Sequence, residues 1–139
     1  MSDATKRRRI MVIDDDEPVL VFHQSVLEEE GYEVDTAEHV GVALEKMSAT
    51  RPDLILLDIR MPGVDGIHAA RMFKHDLRLK DVPILIITSC RDEDVLEKLE
   101  ESGACGILFK PYAADLLYRR VQAIFEQSDR AEYGPFTIE

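Results

Sequence analysis

Five polar residues follow directly on short apolar runs. Arg9-Ile10-Met11-Val12-Ile13 leads into Asp14 and Asp15, and Leu54-Ile55-Leu56-Leu57 into Asp58. Ile84-Leu85-Ile86-Ile87 leads into Thr88, and Ile107-Leu108-Phe109 into Lys110. An apolar run without alternation reads as a strand buried on both faces, as in a parallel sheet covered by helices. In such sheets the carboxyl ends of the strands are where ligands bind. Side by side, these ends would bring three carboxylates to one pocket, where they repel and raise one another's pKa. A hard divalent cation and a fixed ammonium would relieve that repulsion. Mg2+ (or Mn2+) takes oxygen ligands and keeps several waters, and Lys110 supplies the ammonium. A carboxylate flanked by a cation, an ammonium and a hydroxyl donor suits phosphoryl transfer onto the carboxylate. The positive groups would neutralise equatorial oxygens while Thr88 donates a hydrogen bond. An aspartate nucleophile forming an aspartyl phosphate is established chemistry.

The remaining segments must position these ends. Pro18 suits a first helical turn, and the acids before it suit the helix dipole. Val19, Phe22 and Val26 follow at helical spacing, with Gly31 as the cap. Tyr32 to Thr36 alternates like an edge strand. Val40, Ala43, Leu44 and Met47 mark a second helix, and Ile67, Ala70 and Phe73 a third that ends near His75. An acidic helix from Arg91 to Ser102 has Val95, Leu96 and Leu99 on its apolar side, and Gly103 caps it. Leu117, Val121, Ile124 and Phe125 mark the last helix. Five β-α repeats predict an α/β fold, a parallel sheet with helices on both faces. Residues 1–8 read as a disordered basic leader, 9–127 as one domain, and 128–139 as a C-terminal tail or truncated linker.

The chain has 139 residues and a net charge of -11, which suits one domain and argues against direct binding of nucleic acid. No apolar run reaches membrane-spanning length, and no signal-peptide pattern opens the chain. Cys90 and Cys105 have neither metal spacing nor a disulfide framework, which points to a reducing cytoplasm. His23, His39, His68 and His75 are scattered over the predicted helices and read as exposed or interfacial. Asp16 and Glu17 read as a solvated helix start, and Asp65 as a helix cap.

Four pieces carry a family resemblance: Val12-Ile13-Asp14-Asp15, Leu57-Asp58-Ile59-Arg60-Met61-Pro62-Gly63, Ile87-Thr88-Ser89 and Lys110-Pro111. In this order, at the ends of strands one, three, four and five, they resemble the response regulator receiver domain of two-component signalling, over about Arg9 to Gln127. The resemblance implies a flavodoxin-like, CheY-like five-stranded sheet of order 2-1-3-4-5. It implies that Asp58 is the phosphoacceptor, Thr88 the switch hydroxyl and Lys110 the phosphate contact. Asp14 and Asp15 would be the metal-binding acidic pair, with Asp58 and the backbone carbonyl of Arg60 completing the protein ligands. It further implies a signalling phosphoacceptor rather than an enzyme, one that assists its own phosphotransfer and dephosphorylation. The phosphodonor would be a sensor histidine kinase or a histidine phosphotransfer protein. The surface of the acidic helix, last strand and last helix would bind an output partner or a second copy.

Two positions depart from the family pattern. Receivers usually carry Tyr or Phe three residues before the lysine, where this chain has Ile107. Arg60 and Cys90, each two residues after a site residue, form a less common pair at the pocket mouth. Two other functions are compatible with part of the pattern. A Mg2+-dependent phosphohydrolase with an aspartate nucleophile would need a second acid where Arg60 stands. A pseudo-receiver, an interaction module that never accepts phosphate, would be consistent with Ile107 but not with the complete acid set.

Overall fold

Ile10, Met11, Val12 and Ile13 are all buried, as are Leu54 to Leu57 and Ile84 to Thr88. A strand buried at every position must have cover on both faces. The computed structural model of the chain describes residues 7–59, 64–129 and 136–139. In it β1 (Arg9–Ile13), β2 (Glu33–Ala37), β3 (Leu54–Ile59), β4 (Ile84–Thr88) and β5 (Gly106–Phe109) alternate with five helices. These are α1 (Glu17–Glu29), α2 (Val40–Ala49), α3 (Val64–His75), α4 (Glu93–Glu101) and α5 (Ala114–Asp129). A short β6 (Thr137–Ile138) follows. All pairings are parallel, in the order β2-β1-β3-β4-β5-β6.

Side chains alternate across each strand, so the sheet sorts the core into two halves. Met11, Ile13, Ile55, Leu57, Ile84, Ile86 and Ile107 face one side. There they meet Ala43 and Met47 of α2, Ala70 and Phe73 of α3 and Leu99 of α4. Ile10, Val12, Leu54, Leu56, Leu85, Ile87 and Leu108 face the other. There they meet Leu20 and Leu27 of α1 and Leu117, Val121, Ile124 and Phe125 of α5. Gly31 and Gly103 have φ of 96° and 97°, the left-handed conformation that ends α1 and α4 and favours glycine. Asp92 caps α4, its side chain accepting from the Asp94 and Val95 amides.

The predicted five-stranded order is present, with three differences. The buried face of α1 centres on Leu20, His23 and Leu27; of the expected set, Val26 packs partly against this cluster and Phe22 is exposed. Both sets have the same spacing, and the start of α1 is apolar all round, so periodicity cannot choose between them. The tail is not merely a polar end: α5 runs on to Asp129, and residues 137–138 add the sixth strand. Arg8, placed by the sequence in the leader, is engaged. Its carbonyl accepts from the Glu33 amide, and its guanidinium pairs with Asp129 and lies 5.0 Å over the Phe125 ring. The leader up to Lys6, Arg60 to Gly63, the Asp65 side chain and Gly134-Pro135 lie outside the described residues.

Candidate functional site

The register decides which polar ends meet. Ile13 is level with Leu57, so Asp14 comes level with Asp58. Thr88 is level with Phe109, and the Lys110 amide donates to the Thr88 carbonyl at 2.9 Å. The Asp14 amide extends the ladder by donating to the Ala37 carbonyl at 3.1 Å. The Asp58 side chain is shielded from solvent although the residue lies at the cleft, and Lys110 Nζ lies 2.7 Å from its Oδ1. Neither oxygen of Asp58 accepts an aligned hydrogen bond among the described residues. The contact with Lys110 is therefore a close ion pair, and the second oxygen remains available. Asp14 Oδ1 accepts from the Asp16 amide at 3.1 Å.

Burial first, and then the Asp58 carboxylate close beside it, push Asp14 up to about 7. A carboxylate pair that holds a proton this tightly has the electrostatic character of a cation site. Asp15 is exposed at the rim and, with Asp14, Glu38, Asp58 and Ile59, lines one cleft. Among the described residues no three acidic, His or Cys side chains gather closely enough to hold a metal by themselves. Two carboxylates supplemented by a backbone carbonyl and waters still fit Mg2+, which keeps several waters. The carbonyl that the family resemblance implies, that of Arg60, belongs to a residue outside those described.

The site residues do not all point the same way. By the alternation of β3 and β5, Asp58 and Lys110 share the α1/α5 face. Thr88 follows Ile84 and Ile86 toward α4. Its Oγ1 accepts from the Cys90 amide at 3.1 Å rather than donating to Asp58. The loop after Thr88 is tied to β5 a second time, with the Arg91 guanidinium 4.1 Å over the Phe109 ring.

Sequence reasoning missed His23, Tyr112 and Glu38. His23, expected to be exposed or interfacial, is wholly buried in α1, hydrogen-bonded through Nε2 to the Tyr112 hydroxyl. The rings stack at 6.0 Å, and Phe22 meets His23 edge-on at 5.5 Å. The available signal was its place three after Leu20 and four before Leu27, on the core face of α1. Tyr112 stands two residues beyond Lys110. Burial raises its pKa, and the charges of Asp58 and Asp14 add to the rise.

Burial lowers His23 to about 4, against a weaker opposing effect from Asp58. The unfolded chain protonates this imidazole near 6.5, which the folded chain resists down to about 4. The His23 contribution to stability is therefore lost as pH falls through that window, by roughly 3 kcal/mol in all. Asp14 acts in the opposite sense without metal, because the folded state takes up its proton first. The comparison that isolates His23 is wild type against His23→Gln, by urea unfolding between pH 7 and pH 4. His23→Gln is expected to gain relative stability on acidification, and parallel profiles would refute this.

The family model described as the response regulator receiver domain matches residues 10–122. The chain belongs to the response regulator receiver family. Receiver domains are the signalling phosphoacceptors of two-component systems, not enzymes in the ordinary sense. The response regulator PleD of Caulobacter vibrioides is 38% identical over 117 residues, which cover 84% of this chain and 26% of that protein. The phosphate regulon transcriptional regulatory protein PhoB of Escherichia coli is 31% identical over 120 residues, 86% of this chain and 52% of PhoB. The CAI-1 autoinducer sensor kinase/phosphatase CqsS of Vibrio cholerae is 34% identical over 117 residues, 84% of this chain and 17% of CqsS. The chain thus spans about half the length, or less, of these curated relatives. Among solved structures, the chemotaxis protein CheY4 of Vibrio cholerae superposes with a TM-score of 0.79 at 27% identity, covering 86% of this chain and 99% of CheY4. The receiver fold is the flavodoxin-like α/β fold expected, with β6 as an addition. Among the described residues no helix is long and apolar enough to cross a membrane.

Proposed function

We propose that Asp58 of this receiver domain accepts a phosphoryl group from a histidine kinase or histidine phosphotransfer protein in the cytoplasm. The observation that carries the reading is the ion pair of Lys110 with one oxygen of a shielded carboxylate whose other oxygen accepts no hydrogen bond among the described residues. That oxygen attacks phosphorus as the bond to the donor nitrogen breaks, and the imidazole departs with the electron pair. Asp14, Asp15, Asp58 and the Arg60 carbonyl are the residues that would hold Mg2+ or Mn2+. Bound there, the ion supplies positive charge against the phosphoryl oxygens. Lys110 neutralises a further oxygen, and Thr88 leaves the Cys90 amide to donate a charge-assisted hydrogen bond. The same residues assist hydrolysis of the aspartyl phosphate. The phosphorylated state alters binding at the surface of α4, α5 and the sheet edge between them, toward an output partner or a second copy.

Intact mass after incubation with Mg2+ and a small phosphodonor tests the assignment. One phosphoryl group is expected on wild type, and none on Asp58→Asn or in excess chelator. An unmodified wild type would indicate a pseudo-receiver. Steady phosphate release without a phosphorylated chain would indicate a phosphohydrolase. Equal labelling of Asp58→Asn would remove Asp58 as the acceptor.

A further inference from the structure

The outer edge of β5 is taken by the chain's own tail. The Thr137 amide donates to the Cys105 carbonyl at 3.3 Å and the Glu139 amide to the Ile107 carbonyl at 2.9 Å. The Phe109 amide donates to the Glu139 carbonyl at 3.3 Å. Phe136 packs on the α2–α4 half of the core. Two features of the edge favour such a strand. Gly106 lets it approach, because a Cβ there would stand 2.5 Å from Arg120 Nη2 and 2.6 Å from the Thr137 carbonyl oxygen. Arg120, only 6% exposed, places its guanidinium beneath the strand.

The resident strand serves this arginine imperfectly. Glu139 Oε1 lies 3.0 Å from Arg120 Nε, yet the pair lacks hydrogen-bond alignment, and Nη2 has no partner among the described residues. A buried guanidinium is best met by a carboxylate that bonds two of its nitrogens at once. Against a few ladder bonds and one half-exposed ion pair stands the entropy of ordering the tail, so the resident is held by a small margin. A short strand, weakly held over an incompletely satisfied buried cation, is a replaceable occupant.

We propose that the outer edge of β5, with Gly106 as its floor and Arg120 as its anchor, is a binding site for an extended segment of a partner protein, occupied in the free chain by Phe136–Glu139. The ligand is a strand with an aromatic residue and, three residues later, a carboxylate. It binds by adding to the sheet, with main-chain bonds giving affinity and the carboxylate giving selectivity. The chain's net charge of -11 disfavours a run of acids, so the ligand carries a single carboxylate at the Arg120 position and no other acid. This site is the sheet edge between α4 and α5 and rests on the proposed function for its partner, while its test makes no use of the chemistry at Asp58.

Amide exchange of the full chain tests the proposal, with Phe109 as reporter and the β1 and β3 amides as the folding control. Glu139→Gln is expected to lower Phe109 protection by about tenfold, the loss of one ion pair to a buried guanidinium. An amidated peptide with the sequence of residues 134–139 should restore protection saturably, and the same peptide ending in Gln should not. Adding Arg120→Met should abolish the difference between the two peptides. Wild-type protection in Glu139→Gln, equal action of both peptides, or discrimination that survives Arg120→Met would each overturn the site.

Discussion

Lys110→Ala is expected to slow phosphoryl incorporation by about 10²–10³-fold, the loss typical of removing one preorganised donor from a developing anion. Lys110 Nζ is 2.7 Å from Asp58 Oδ1 before any phosphoryl group arrives, so the ammonium is already placed where charge will accumulate. The remaining acids still fit a divalent cation, so labelling persists at a reduced rate rather than vanishing. The same change leaves Asp58 and Asp14 facing each other without their cation. Stability should therefore fall in the variant, and Mg2+ should restore more of it than in wild type. The rate of mass change under saturating phosphodonor, with urea unfolding at increasing Mg2+, measures both effects. An unchanged rate would show that Lys110 only balances charge in the resting state. The change in partner binding that phosphate induces should be lost with it.

Ile107→Ala is expected to cost about 2–5 kcal/mol of stability, the range for truncating a buried aliphatic side chain. Ile107 is wholly buried, level with Ile86 of β4 and Ile138 of β6, and Val95 and Leu96 of α4 pack against its cluster. A β-branched side chain is stiff at χ1 and has no ring to swing outward. The loss should therefore be equal with and without a phosphate mimic. The state change is expected to pass instead through the segment after Thr88. Its attachments are the Thr88–Cys90 hydrogen bond and the Arg91 guanidinium over Phe109. Amide exchange with the mimic should change most from Ser89 to Leu99. Changes centred on β5, or a mimic effect largely lost in Ile107→Ala, would refute this route.

The strands and acidic ends were legible because each was written locally. Leu54 to Leu57 leaves no choice but burial on both faces, and one aspartate follows. What was not legible depended on residues far apart in the chain. The buried face of α1 required knowing that Tyr112 offers His23 a hydrogen-bond partner, which makes a histidine tolerable in the core. The strand at 137–138 is too short for any periodicity. Its existence rests on the missing side chain at Gly106 and on Arg120, which helical spacing alone places beside Val121 and Leu117. The orientation of Thr88 toward α4 follows from register, which the apolar run of β4 does not encode.

The two borders of the sheet differ in their exposure to aggregation. Along β2, Glu33 and Asp35 form ion pairs with Arg9, and charges on a border strand discourage another chain from pairing there. On the far side, β5 is Gly-Ile-Leu-Phe without a charge, all of it buried. Among the described residues its edge is covered by a segment that follows it by nearly thirty residues in chain order. During synthesis β5 therefore emerges well before its cover. Until the tail arrives, the molecule presents a bare apolar β-edge to its neighbours on the polysome. Chaperone demand and turbidity in refolding should depend on Phe136–Glu139 far more than so short a strand's share of the final stability would suggest.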